Sequence, residues 1–175
     1  MSRLRLKLAI GVAVVGVAAT TAAALAGDRA KLRTSLSGFE EVPVVSTSGG
    51  GEFRAAIDRS SRTIQYQLTY RDLEGTTQQS HIHLGQELAN GGIAVFLCSN
   101  LGNGPAGTQA CPQSGTISGT IDPADVIGPT GQGIPAGAFD ELAQAIRAGL
   151  TYVNVHSSMA PNGEIRGQIA NRQND

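Results

Sequence analysis

The chain has 175 residues, 13 Lys and Arg against 14 Asp and Glu, and no Trp. So even a balance leaves no basic surface of the kind that nucleic acid selects. With 23 Gly, 7 Pro and 15% charged residues it describes short elements joined by many turns, and 41% apolar residues are enough for one core rather than two.

Arg3, Arg5 and Lys7 precede an uncharged run over residues 8–25, and Ala24-Leu25-Ala26 places small residues three before and one before a cut. This pattern predicts a secretion signal over residues 1–26, followed by a single domain over residues 27–175. The run approaches the length that spans a bilayer, so an uncleaved anchor is the competing reading. No later stretch is apolar enough to span, and no Cys follows the signal to carry a lipid. Cleavage removes three cations and no acid, which leaves a mildly acidic remainder of formal charge −4.

Beyond the signal, segments of alternating polarity recur between turn residues, as an antiparallel β-sandwich or barrel requires. Residues 32–36 are the first. Residues 52–58 alternate with Phe53, Ala55 and Ile57 on one face, and 62–70 follow with Ile64, Tyr66, Leu68 and Tyr70 on one face, joined by a hairpin turn at Asp58-Arg59-Ser60-Ser61. Residues 77–84, the more continuous apolar run 93–98, and 114–121 come next. Two late strands, 151–156 and 164–170, flank the turn signal Pro161-Asn162-Gly163. The expectation is an all-β fold of about eight strands.

One segment departs from that pattern. Phe139, Leu142, Ala143 and Ile146 recur at helical spacing and Gly149 follows, which predicts a helix over 138–148. Asp122 before Pro123 reads as an N-cap with proline at the first helical position. Residues 128–137, rich in Gly and Pro, read as an exposed loop. Cys98 and Cys111 are the two cysteines, and in an exported chain this close pair predicts a disulfide that acts as a staple.

The residues that offer chemistry are few. His81 and His83 flank Ile82 on a predicted strand, so both imidazoles face one way while Ile82 enters the core. His156 shares a face with Tyr152 and Asn154, opposite Val153 and Val155. Three neutral imidazoles brought together outside the core suit zinc or copper. The competing reading is three surface histidines bonded to neighbours or water. Arg166 lies on the polar side of its strand, where it would steer an anion beside the histidines or meet a glutamate or a backbone carbonyl. Glu40 and Glu41 offer carboxylate ligands or a paired acid and base on one reading, but adjacent residues face opposite ways on an extended chain, and the pair reads as solvated edge residues with Pro43 blocking further pairing. No Gly-x-Ser-x-Gly elbow is present and the glycine pairs precede strands rather than helices, so neither nucleophilic catalysis nor nucleotide binding is expected.

Four motifs, Leu36-Ser37-Gly38-Phe39-Glu40-Glu41-Val42-Pro43, His81-Ile82-His83-Leu84-Gly85, Tyr152-Val153-Asn154-Val155-His156-Ser157 and Gly163-Glu164-Ile165-Arg166-Gly167-Gln168, together resemble the CHRD (chordin-type) domain in order and spacing. The resemblance implies an all-β extracellular module and little about activity. A weaker likeness is to copper-zinc superoxide dismutases, where a His-x-His pair, a later strand histidine and a following arginine gather at copper. His81, His83, His156 and Arg166 fit that order, but a fourth histidine and a zinc loop are missing. The expected function is a secreted or cell-envelope binding module for an unidentified protein or envelope partner, non-enzymatic, with copper or zinc on His81, His83 and His156. A copper oxidoreductase of dismutase type and a metal-free matrix or adhesion protein are the alternatives.

Overall fold

The computed structural model describes residues 29–171, so the expected signal at 1–26 lies outside the described residues. Nine strands and one helix follow in chain order: β1 (Arg29–Ser37), β2 (Gly50–Asp58), β3 (Thr63–Arg71), β4 (Thr77–Leu84), β5 (Gly92–Ser99), β6 (Gly115–Ile121), α1 (Phe139–Arg147), β7 (Thr151–Ser157), β8 (Ile165–Gln168) and the two-residue β9 (Ala170–Asn171). All pairings are antiparallel, in the order β5-β4-β7-β8-β1-β2-β3-β6, with β9 beside β1. The all-β expectation holds. The segment read as one strand over 164–170 is interrupted at Ile169, whose N–H goes to the Thr151 carbonyl, and this separates β8 from β9.

Local chemistry explains most element ends. At the β2–β3 hairpin the Asp58 carboxylate accepts from the Ser60 and Ser61 N–H groups, and Arg62 takes a positive φ of 51° to complete the turn. Asp122 caps a single 3-10 turn at Pro123–Asp125 reciprocally with Asp125, as its position before proline predicts. Helix α1 begins one residue later and ends one residue earlier than the periodicity suggests, and it buries Phe139, Leu142, Ala143, Ala145 and Ile146 in the same cluster as the strand residues. Residues 128–137 are largely exposed, but Ile134 is buried in the core, where it anchors the loop.

The sheet curls until its outer strands, β5 and β6, nearly meet. They are not joined by a ladder; side chains bridge the seam. Gln109 Nε2 donates to the Leu97 carbonyl on β5 at 3.1 Å, to the Ser118 carbonyl on β6 at 3.4 Å and to the Tyr66 hydroxyl at 2.8 Å. The Tyr66 hydroxyl in turn donates to the Leu97 carbonyl. Gln109 is tied to β5 by its carbonyl, which accepts from the Ser99 N–H, and lies two residues before Cys111, which bridges to Cys98 across a separation of 13 residues. Among the described residues no helix is long and apolar enough to cross a membrane.

Replacing both Cys98 and Cys111 by Ala should therefore lower stability by about 3 kcal/mol, the chain-entropy value for a loop of this size. Urea unfolding measures this, and a loss well under 1 kcal/mol would mean that the Gln109 hydrogen bonds hold the seam alone.

Candidate metal site

Burial along the strands locates the site. β3 alternates as a half-covered strand should, with Ile64, Tyr66, Leu68 and Tyr70 buried and Gln65 and Gln67 exposed. On β7 all seven residues are buried, and so are Ser80, His81, Ile82 and His83 on β4 and Ile165, Arg166 and Gly167 on β8. These three adjacent strands are covered on both faces. Ile82, Val153, Val155 and Ile165 fill the inner face. The outer face carries His81 and His83, Tyr152, Asn154 and His156, and Arg166, with Asn154 directly across from His81 on one side and from Arg166 on the other.

The three histidines converge. Their ligand-bearing nitrogens all lie within 4.8 Å of one another. His81 Nδ1 is 3.2 Å from His156 Nε2, and His156 Nε2 is 3.1 Å from Asn154 Oδ1. His81 sits edge-on to Phe96 with ring centroids 4.4 Å apart, and His83 stacks flat on Tyr152 at 4.7 Å. The expectation of surface histidines does not survive: relative exposures are 0% for His81, 7% for His83 and 6% for His156, because loops cover the face that alternation alone would leave wet.

Backbone carbonyls decide where the protons sit. His83 Nδ1 lies 2.9 Å from the Gly91 carbonyl and His156 Nδ1 lies 3.0 Å from the Pro161 carbonyl. A carbonyl only accepts, so in each neutral ring the proton is on Nδ1 and Nε2 is a bare lone pair. His83 Nε2 and His81 Nε2 are buried without a hydrogen-bond partner. Burial pushes all three imidazoles below their ordinary value, His81 to about 2 and His83 to about 4, with neighbouring imidazoles adding to the effect at both. The cluster is a set of neutral, preoriented nitrogen donors, each of the two outer rings steered by a carbonyl as metal-bound histidines are.

The cover is pinned by Arg166, which is 2% exposed rather than open to solvent. Its guanidinium carbon lies 3.4 Å from the Tyr152 ring centroid, and its nitrogens donate to the carbonyls of Gln86 and Ala89 and to Asn90 Oδ1. Of the partners expected for this arginine, the backbone carbonyl is the one found. Residues 85–91 are held down further by Gln168 Nε2 on the Gly85 carbonyl and by the Gly91 N–H on the Tyr152 hydroxyl. Gly91 passes so close to Leu84 that a side chain there would collide with the Leu84 carbonyl.

Glu41 corrects the expectation of a solvated edge. Glu40 is exposed, but Glu41 is 6% exposed and its Oε1 has no hydrogen-bond partner. The single 3-10 turn at Gly38–Glu40 rolls the chain over β8 and turns Glu41 inward. Burial pushes its carboxyl up to about 7, against the opposing pull of the Arg166 charge, the Val42 N–H and the Asn154 amide. Gly163, at φ 128°, packs against this carboxyl, and a Cβ there would run into Oε1. Glu41 and Asn154 were not assigned to the site from sequence; the period-2 pattern that puts Asn154 beside His156 was the available signal, whereas nothing local marks Glu41. Glu164, also fully buried, accepts from Thr47 Oγ1 at 2.6 Å and the Glu74 N–H at 2.7 Å, and so ties two covering loops to the start of β8.

Among known families, the CHRD domain matches residues 32–169. No curated protein and no solved structure matches the chain.

Two pH effects oppose each other here. An unfolded chain protonates its histidines near 6.5, whereas the fold keeps His81 and His83 neutral to about 2 and about 4, so the unfolded state binds more protons below 6.5 and stability falls on acidification. Glu41 contributes the reverse, since the fold holds its proton up to about 7 and the unfolded chain releases it near 4.5. Two histidines outweigh one carboxyl. Metal-free protein should lose about 1 kcal/mol of stability per pH unit between pH 6 and pH 5, and a flat urea-unfolding profile would mean that the buried imidazoles take up protons in the fold.

Proposed function

Because this chain belongs to the CHRD domain family over residues 32–169, we propose that it is an exported, non-enzymatic binding module that holds one zinc or copper ion on His81, His83 and His156. The observation that carries the reading is the pair of carbonyl-fixed imidazoles, His83 and His156, each with a bare Nε2, in a buried cluster where one nitrogen of each lies within 4.8 Å of one of His81. An ion satisfies these lone pairs together, and imidazole nitrogen suits both metals. Export is supported by the basic and apolar N-terminal pattern, read as a signal over residues 1–26, and by the disulfide.

A dismutase-type oxidoreductase needs an arginine free to guide an anion toward the metal. Arg166 instead spends its donors on Gln86, Ala89 and Asn90 and lies under the covering segment. Its role in this reading is to position the cover. A metal-free adhesion module would give no reason for burying the His83 Nε2 lone pair without a partner.

The purified protein should take up one zinc or copper ion per chain, and at a free concentration 100 times Kd the ion should add about 2.7 kcal/mol of stability. Changing His81, His83 and His156 to Ala should abolish uptake, with the circular dichroism spectrum checking that the variant folds. Copper-loaded protein should show no superoxide turnover above free copper. A folded wild-type protein that takes up neither metal would sink the proposal.

A further inference from the structure

Asn154 stands at the centre of the outer face. It is 2% exposed, lies across β4 from His81 and across β8 from Arg166, and touches both His156 and Glu41. Its Oδ1 is 3.1 Å from His156 Nε2. That contact is not a hydrogen bond in the neutral ring, because the Pro161 carbonyl holds the imidazole proton on Nδ1 and leaves Nε2 an acceptor. Rotating the Asn154 amide would bring a donor to Nε2 but would turn its oxygen toward the Glu41 carboxyl, whose acidity the amide N–H supports from the other side. Two acceptors are thus held face to face.

The spacing is that of neighbouring ligands. Atoms about 2.1 Å from one zinc ion stand about 3.0 Å apart at right angles and about 3.4 Å apart in a tetrahedron. Asn154 Oδ1 to His156 Nε2 at 3.1 Å and His81 Nδ1 to His156 Nε2 at 3.2 Å both fall in that interval. A second observation accompanies it: His83, whose ligand nitrogen lies within 4.8 Å of those of His81 and His156, has a buried Nε2 with no hydrogen-bond partner.

We infer that Asn154 supplies a fourth ligand through its carboxamide oxygen and that Glu41 is the positioning residue that turns this oxygen toward the ion. The inference rests on the three-histidine reading and sharpens it. Three imidazoles and one carboxamide oxygen form a closed, neutral site that favours zinc(II) or copper(II) over copper(I), whose preference is for softer donors.

Zinc affinity measured by chelator competition on the purified protein tests this, together with water-proton relaxation of the copper(II)-loaded protein. Asn154→Leu should weaken zinc binding by at least tenfold, in line with the losses that follow damage around a metal site, and should raise the relaxation by admitting a water to copper. Should that variant fail to fold, the pair Asn154→Asp with Glu41→Gln keeps the shape and the total charge while moving the carboxylate onto the ligand position. It should bind zinc at least tenfold more tightly than wild type. Wild-type binding with unchanged affinity and relaxation in Asn154→Leu, or no gain in the swapped pair, overturns the fourth ligand and leaves the histidine site standing. No metal uptake by folded wild type removes both.

Discussion

Arg166 cannot give up its charge, so burying it obliges the rest of the structure to surround it with acceptors and a π face. Tyr152 provides the face, and the carbonyls of Gln86 and Ala89 provide the acceptors. Those carbonyls belong to the segment between β4 and β5, so satisfying the guanidinium draws that segment down over β4, β7 and β8. The Gly91 carbonyl arrives over His83 as part of the same movement, and the imidazole is oriented as a result. Without this cation the segment over His83 would lose the contacts that draw it onto the sheet.

The strands and the helix were legible because each is a local pattern. Alternation in Ile64, Tyr66, Leu68 and Tyr70, helical spacing in Phe139, Leu142 and Ile146, and an Asp before a Pro at the 122–125 turn each reflect a choice made within a few residues. The histidine trio was legible for the same reason, since His-x-His on one strand and a histidine on a second need only adjacency of the strands to meet. What alternation does not encode is whether the polar side of a strand is covered. Tyr152, Asn154 and His156 look like a solvated face, and their burial depends on contacts with residues about as remote as Arg166 is from Ala89, 77 positions away. Glu41 is the extreme case, since its environment is built by Asn154, Gly163 and Arg166, none of them near it in sequence.

The outer face also shows how backbone groups set the chemistry of a side chain. Two backbone carbonyls, from Gly91 and Pro161, assign the tautomers of His83 and His156. One buried carboxyl, that of Glu41, faces the amide of Asn154. Each polar group is turned by a group from a different covering loop, so the arrangement of lone pairs is a property of the loops as much as of the strands that carry the side chains. This is also why Gly163 and Gly91 lie where they do: the covering chain comes too near for a Cβ.

A cover fastened at this many points has a consequence for timing. Were an ion held among side chains with only a few per cent exposure, it would have no open mouth to pass through; a covering segment, such as residues 85–91 with their hydrogen bonds to Arg166 and Gln168, would have to lift first. Exchange with the surroundings would then run at the rate of that opening, whatever the affinity. The ion would be acquired most readily while the chain is still folding, and afterwards kept as a built-in part rather than traded with the medium.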